Sequence, residues 1–200
     1  MPCHGVTDFD EIENGTDPLV KTTIAFDTNL VAYWPMDGSF DNAQTDDYHG
    51  IEEGGPIEFE AGKFGDSVYL NGSQSIEIGG DENVFDFTGE SFTVSAWYTA
   101  EEISKSWQCL VAKGEGNGWR VHRRGGDNPP ELTFTGGNGD VDRHNVAMTV
   151  GGDPETWHHV AGVTDSSTNE QILYLDGEEV ARKSGATLQD RNNPMRIGDN

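Results

Sequence analysis

The sequence predicts an all-β fold, an antiparallel β-sandwich. Three observations predict it. Helical periodicity is scarce, and short alternating or apolar runs recur instead, each followed by Gly, Asn, Asp or Pro. β-Branched and aromatic residues fill those runs. The 26 glycines supply the turns that so many short strands need.

Taken in order, the first 26 residues stand apart. "GVTDFDEIENGTDPLV" sets acids and amides around little apolar material before Pro18 and the following Leu-Val, so residues 1–26 read as an acidic linker and 27–200 as the sandwich. The predicted strands are "LVAYWPM" (30–36), "SVYLNG" (67–72), "SIEIGG" (75–80), "SFTVSAWYT" (91–99), "QCLVAKG" (108–114) and "GWRVHRR" (118–124). They continue with "ELTFTGG" (131–137), "HHVAGVT" (158–164), "QILYLDG" (171–177), "EEVARK" (178–183) and "MRIGDN" (195–200). "YLDGEEV" is the clearest hairpin, because Asp176-Gly177 suits a type I′ turn, where both central residues take positive φ.

Charge narrows the partners. The chain holds 36 acidic and 12 basic side chains, for a net charge of −24 and a pI near 4.2. A general nucleic-acid binder is excluded, since phosphate contacts need clustered Lys and Arg. The negative potential concentrates cations such as Ca²⁺. No apolar run approaches the ~18–20 residues that cross a bilayer. The opening "MPCHGVTDFDEIENG" has neither a basic nor an apolar leader region, so the chain reads as cytosolic or as an internal piece of something longer. A Cys3–Cys109 bridge would give about 4–5 kcal/mol in the chain-entropy model. "WQCLVAK" instead reads Cys109 as a small buried hydrophobe, and no disulfide is expected.

From about Asn29 onward the chain resembles the laminin-G-like, concanavalin A-like lectin/glucanase superfamily in its bacterial form. "LVAYWPMDGSFDN", "YHGIEEGG", "AGKFGDSVYLNGSQSIEI", "FTVSAWY", "LVAKGEGNGWRV", "TWHHVAGVTDSSTNEQILYLDGEEV" and "MRIGDN" carry the likeness by their order and spacing. The resemblance implies a jelly-roll sandwich of two curved sheets in a secreted or surface protein, usually for recognition. It also implies a further strand after "RIGDN", of the form "FxGxIDEVRIY", beside the first strand. This sequence departs from that pattern, so either it is a piece of a longer one or another chain fills the gap. The segment 1–26 is similar to the end of a thrombospondin type 3 or dockerin-like calcium repeat. With Gly5 as the loop glycine, Asp8 and Glu11 take the ninth and twelfth positions and the Val6 carbonyl the backbone position. Pro2 and His4 fall where oxygen ligands belong, which argues against tight Ca²⁺ binding there.

The adjacent His158 and His159 invite a metal or catalytic reading. On a strand with side-chain period two, Trp157, His159, Ala161 and Val163 share one face, and His158, Val160 and Gly162 the other. The two rings cannot chelate one ion, so the pair reads as a strand marker, one ring packed inside and one on the surface. Retaining glycosidases need carboxylates ~5–5.5 Å apart, from a pattern like Glu-x-Asp-x-x-Glu on one strand. "DFDEIEN", "IEEGGPIEFE" and "DENVFDF" imitate it, but none puts three acids on one face of a central strand. For a lyase, Tyr98, Arg120, His122 and Arg124 are the candidates. No serine elbow, phosphate loop or zinc-type Cys/His spacing occurs.

"WRVHRRGGDNPPE" is a basic island in an acidic chain. Alternation puts Trp119, Val121 and Arg123 on one face and Arg120, His122 and Arg124 on the other. One reading is a ligand patch of Trp107, Trp119, His122, Arg123 and Arg124, with Arg143 and His144 from the next loop, gripping an acidic polysaccharide. The other is a set of surface ion pairs worth ~0–1 kcal/mol each. Trp34, Trp97 and Trp157 sit in strand centres and are expected in the core. Asp37, Asp41 and Asn42 in "MDGSFDN", with Asp27 before them, offer hard oxygens, and the resemblance implies a structural Ca²⁺ at such an edge. The same residues are also plain turn formers.

The reading that results is a non-catalytic recognition module for glycan or a cell-surface protein, without nucleic-acid contact or a membrane span, and part of a larger secreted protein. A glycan-cleaving lyase or hydrolase and a structural spacer are the alternatives.

Overall fold

The computed structural model of the chain describes residues 29–99, 107–114, 118–124, 131–136, 140–144, 156–185, 187–190 and 192–199. They form two main antiparallel sheets and a small hairpin. The larger sheet has seven strands in the spatial order β1 (Gly50–Glu53), β4 (Ser75–Ile78), β13 (Met195–Ile197), β6 (Cys109–Lys113), β7 (Trp119–Arg123), β8 (Glu131–Gly136) and β9 (Asp140–His144). The smaller has the order β12 (Glu178–Ser184), β11 (Glu170–Leu175), β10 (His158–Asp165) and β5 (Phe92–Tyr98). β2 (Glu58–Ala61) and β3 (Asp66–Tyr69) pair as the hairpin. The predicted antiparallel β-sandwich is what forms. Among the described residues no helix is long and apolar enough to cross a membrane.

Alternation decides which side chains fill the space between the sheets. Ile76 and Ile78 of β4, Trp119 and Val121 of β7, and Leu132 and Phe134 of β8 meet Phe92, Tyr98, Val160 and Leu173 of the smaller sheet. Each such side chain contributes about 1.5–3 kcal/mol on burial. The Trp119 indole N–H donates to the Phe85 carbonyl at 2.7 Å, so its polar atom is satisfied inside the layer. Phe92 lies 5.5 Å from Trp119 and stacks on Phe87 at 4.6 Å. Phe85 reaches this layer from a short 3-10 helix, Glu82–Phe85, opened by the Asp81 side chain, which accepts the Asn83 amide.

The close approach of the sheets is set at Gly162. A Cβ there would sit 2.4 Å from the Phe134 ring, so β10 must carry glycine where Phe134 crosses it. The hairpin between β11 and β12 is the expected two-residue turn: Leu175 pairs Glu178, and Asp176 and Gly177 have φ of 51° and 85°.

Several expectations are corrected. Residues 30–36 form no ladder among the described residues. They are held by side-chain and turn contacts instead: the Tyr33 amide donates to Asn42 Oδ1 at 2.9 Å, and the Tyr33 carbonyl accepts the Ala43 amide at 2.8 Å. β5 is the edge of its sheet, paired with β10 alone. β1, β2 and β9 are strands that the sequence did not announce, because their glutamates and aspartates lack β propensity. Trp97 is not a core residue. It shares the outer face with Thr93 and Ser95, is 43% exposed, and rests against Phe64 and His159 at 5.9 and 5.2 Å.

Because Phe134 has no room to retreat, Gly162→Ala is expected to cost about 1–3 kcal/mol by overpacking. A urea midpoint equal to that of the parent chain would show that the sheets are not in contact there.

Candidate functional site

The outer face of the seven-stranded sheet is set by the same alternation, read from its other side. One row crosses it: Glu77 on β4, Arg196 on β13, Ala112 on β6, Arg120 on β7 and Thr135 on β8, each opposite the next. His122 lies opposite Thr133 in the neighbouring row. At the β1 end, Arg196 pairs with Glu77 at 2.6 Å, beside a depression of about 350 Å³ lined by Glu53, Ser75, Glu77, Arg196 and Asp199 among others. At the β7 end, Trp107 closes over the sheet. Its ring is 5.6 Å from His122, and the Arg120 guanidinium lies 5.4 Å from its centroid.

Trp107 holds that position at a cost. Its φ is 64°, a left-handed conformation that a bulky side chain rarely adopts and that costs about 1–3 kcal/mol. Tyr48 and Phe87 share this conformation, but both pack against the core. Trp107 is 41% exposed, so its strain is not repaid by core burial. The Trp107 carbonyl accepts the buried Cys109 thiol at 3.6 Å. Below the ring, His122 is fully buried, with one ring nitrogen 2.9 Å from Thr135 Oγ1 and the other 3.1 Å from the Arg123 carbonyl.

The ligand patch expected from the sequence is therefore split. Trp107, His122 and Arg120 meet on the outer face. Trp119, expected to stack on a sugar, is a core residue, 2% exposed. Arg123 shares the inner side with Trp119 and Val121 and is buried and engaged. Arg124 follows β7 half-buried, and it too has a partner. Arg143 and His144 belong to a strand rather than a loop: β9 places them opposite Leu132 and Glu131. Arg120 was absent from the expected patch, although period two already put it beside His122. The lyase set does not assemble either, because Tyr98 lies in the smaller sheet with its ring buried between the layers.

The expected calcium loop is described in part. Asp27 lies outside the described residues. Asn42 Oδ1 accepts the amides of Tyr33 and Gln44, while its Nδ2 donates to Thr45 and the Asp47 carbonyl. Asp37 accepts the Asp66 amide at 2.9 Å, and exposed Asp41 lies 3.4 Å from His49. Asn42 and Asp37 thus serve turn and loop contacts, as the turn-former reading expects. Among the described residues, the carboxylates that do gather are Glu82, Asp86 and Asp190, within 4.8 Å of one another. Two of them meet a cation supplied by the chain itself: Lys113, 2% exposed, pairs with Glu82 and, at 2.7 Å, with Asp86, and donates to the Asn193 carbonyl at 2.6 Å. Burial pushes the Asp86 carboxyl above the usual carboxylate range, against the pull of the Lys113 ammonium.

The adjacent histidines fall on opposite faces as alternation requires. His159 lies outside with Trp97. His158 lies inside, opposite Tyr98, and its Nδ1 is 2.7 Å from Asp176 Oδ2, while Asp176 Oδ1 accepts the His159 amide. Asp176 thus ties the β11–β12 turn to the head of β10. Desolvation opposes its ionisation, but these two hydrogen bonds and the nearby imidazoles win and hold its carboxyl below 3.8.

Comparison with known proteins follows the geometry. The sequence model of a family described as "Concanavalin A-like lectin/glucanases superfamily" matches residues 67–200. That match does not extend to the segment 1–26, whose calcium-repeat likeness gains no support and which lies outside the described residues. Comparison with curated proteins finds no match. Domain 4 of AbnA, a GH43 extracellular arabinanase from Geobacillus stearothermophilus, in complex with arabinotriose, has a similar structure. Its TM-score is 0.65 at 20% identity, covering 86% of this chain and 84% of that one. The CBM40 of a Ruminococcus gnavus IT-sialidase, bound to α2,3 sialyllactose, reaches a TM-score of 0.37 at 14% identity over 54% of this chain and 61% of that one. The second likeness is too distant to inform the site.

Two measurements check this part of the structure. Lys113→Met leaves two half-buried carboxylates uncompensated and is expected to cost about 3 kcal/mol in urea unfolding; a loss under about 1 kcal/mol would place the ammonium in solvent. Asp176→Asn keeps a residue that tolerates positive φ but removes the charge. A depressed carboxylate stabilises fully above its unfolded value of 3.8 and loses that contribution as pH falls through the folded value. The gap in melting temperature between the two proteins should therefore be open at neutral pH and close below pH 3.8; a gap unchanged by pH would sink the pairing.

Proposed function

The chain belongs to the concanavalin A-like lectin/glucanase superfamily, and from that premise we propose that it is a non-catalytic carbohydrate-recognition module of a secreted or surface protein. The observation that carries the reading is Trp107: a half-exposed indole, held in strained backbone over a buried polar floor. An aromatic ring presented this way offers its face to a sugar ring, while the arginine beneath offers donors to hydroxyls. Strain of this kind clusters at ligand sites, where position matters more than stability.

Two further points support recognition over cleavage. Of the gathered carboxylates, Glu82 and Asp86 are paired with Lys113 and belong to a 3-10 turn and its cap rather than to a strand face. The arabinanase domain that is similar over most of both chains is described in complex with arabinotriose, a precedent for sugar binding on this fold. Its location in an extracellular enzyme accords with a secreted setting here.

Titration calorimetry against a panel of plant and algal oligosaccharides tests the proposal. At least one should bind, and Trp107→Ala should weaken it roughly three- to tenfold, the worth of one aromatic contact, while leaving the melting temperature unchanged or raised. No binding across the panel, or binding indifferent to Trp107, would remove the proposal. Falling viscosity of a polysaccharide solution on incubation with the protein would move it to the glycan-cleaving class.

A further inference from the structure

We propose that the group recognised beside Trp107 is an oxyanion borne on the sugar, a carboxylate or a sulfate ester, held by Arg120; this rests on the reading of that face as the carbohydrate site. Arg120 is 8% exposed, yet among the described residues its side chain makes no hydrogen bond and no ion pair, and its buried Nε meets no acceptor. Among the described residues its side-chain partner is the Trp107 ring.

The isolation is contrary to what composition predicts. Acids outnumber bases three to one, 36 against 12, so a buried cation should find a carboxylate readily. Lys113, buried as Arg120 is, takes Glu82 and Asp86; the more exposed Arg182 takes Glu170 and Glu179, and Arg196, one strand beyond Ala112 on the same face, takes Glu77. Arg120 has instead Ala112 and Thr135 as cross-strand neighbours, neither of them acidic. A buried charge without a counter-ion is costly to keep, and an apolar side chain of similar size would relieve the cost.

What the arrangement provides is a binding geometry. The indole face attracts the cation and fixes one side of it. The N–H groups stay uncommitted, in a planar fork that matches two oxygens of a carboxylate or sulfate. The exposed edge of Trp107 stands beside it for the sugar ring that carries the anion. The chain's own negative field disfavours polyanions at long range, so selectivity would arise at this contact alone.

Calorimetry on the whole chain decides it, with three probes: oligogalacturonate for carboxylate, carrageenan oligosaccharide for sulfate, and neutral galacto-oligosaccharide. The parent protein should bind one anionic probe roughly tenfold or more tighter than the neutral one, and which probe it is names the anion. Arg120→Met should abolish that preference and melt no lower than the parent. Arg120→Lys, a point charge without the fork, should keep only part of it. Equal affinity for charged and neutral probes, or a preference that survives Arg120→Met, overturns the inference and leaves carbohydrate binding standing. A markedly lower melting temperature in Arg120→Met overturns it too, by making the arginine structural. Failure of every probe overturns both readings.

Discussion

The contact of Phe134 with the bare backbone of Gly162 is the constraint on which the rest depends. It brings β8 against β10 at the closest separation a ring allows. Once those strands meet, period two assigns every other side chain in the larger sheet. Trp119 and Val121 turn inward to complete the layer, and Arg120 and His122 turn outward. The polar face that the protein presents is the reverse side of its hydrophobic packing. Changing the inner register by one residue would bury both basic side chains among phenylalanines.

Charge is the second organiser. In a chain so acidic, cations are scarce, and two of the described ones join elements distant in sequence. Lys113 ties β6 to the 3-10 helix and to the approach to β13, and Arg196 ties β13 to β4. Asp176 does the converse, a carboxylate joining a turn to the head of a neighbouring strand. These contacts lie at sheet ends and edges, where apolar packing thins. Against that background an arginine left without a carboxylate is informative, because composition alone would have supplied one.

Much of this was legible in local pattern. The recurrence of short apolar runs and turn residues gave the fold class, Asp176-Gly177 gave its hairpin, and alternation separated His158 from His159. The same rule, applied to "FTVSAWY", would also have set Trp97 on the side of Thr93 and Ser95, as it already grouped Trp119 with Val121 in "WRV". A tryptophan's neighbours two residues away say more about its position than its place at the centre or margin of a strand. The patch at β7 was only partly legible, because all five residues of that strand are buried and no polar face marks the outside. Residues 30–36 misled for another reason. Their apolar alternation is strand-like, but a strand exists only where a second backbone pairs with it.

The sequence by itself determined the all-β class, the position of most strands and which side chains share a face, because the pleat and the two-residue turn are properties of a few consecutive residues. Only the tertiary structure decided which face is inner, which cation meets which carboxylate, and that Trp107, Arg120 and His122 come together. Those outcomes depend on residues far apart in the chain and brought within a few ångströms by the packing of two sheets, and no local pattern encodes that distance.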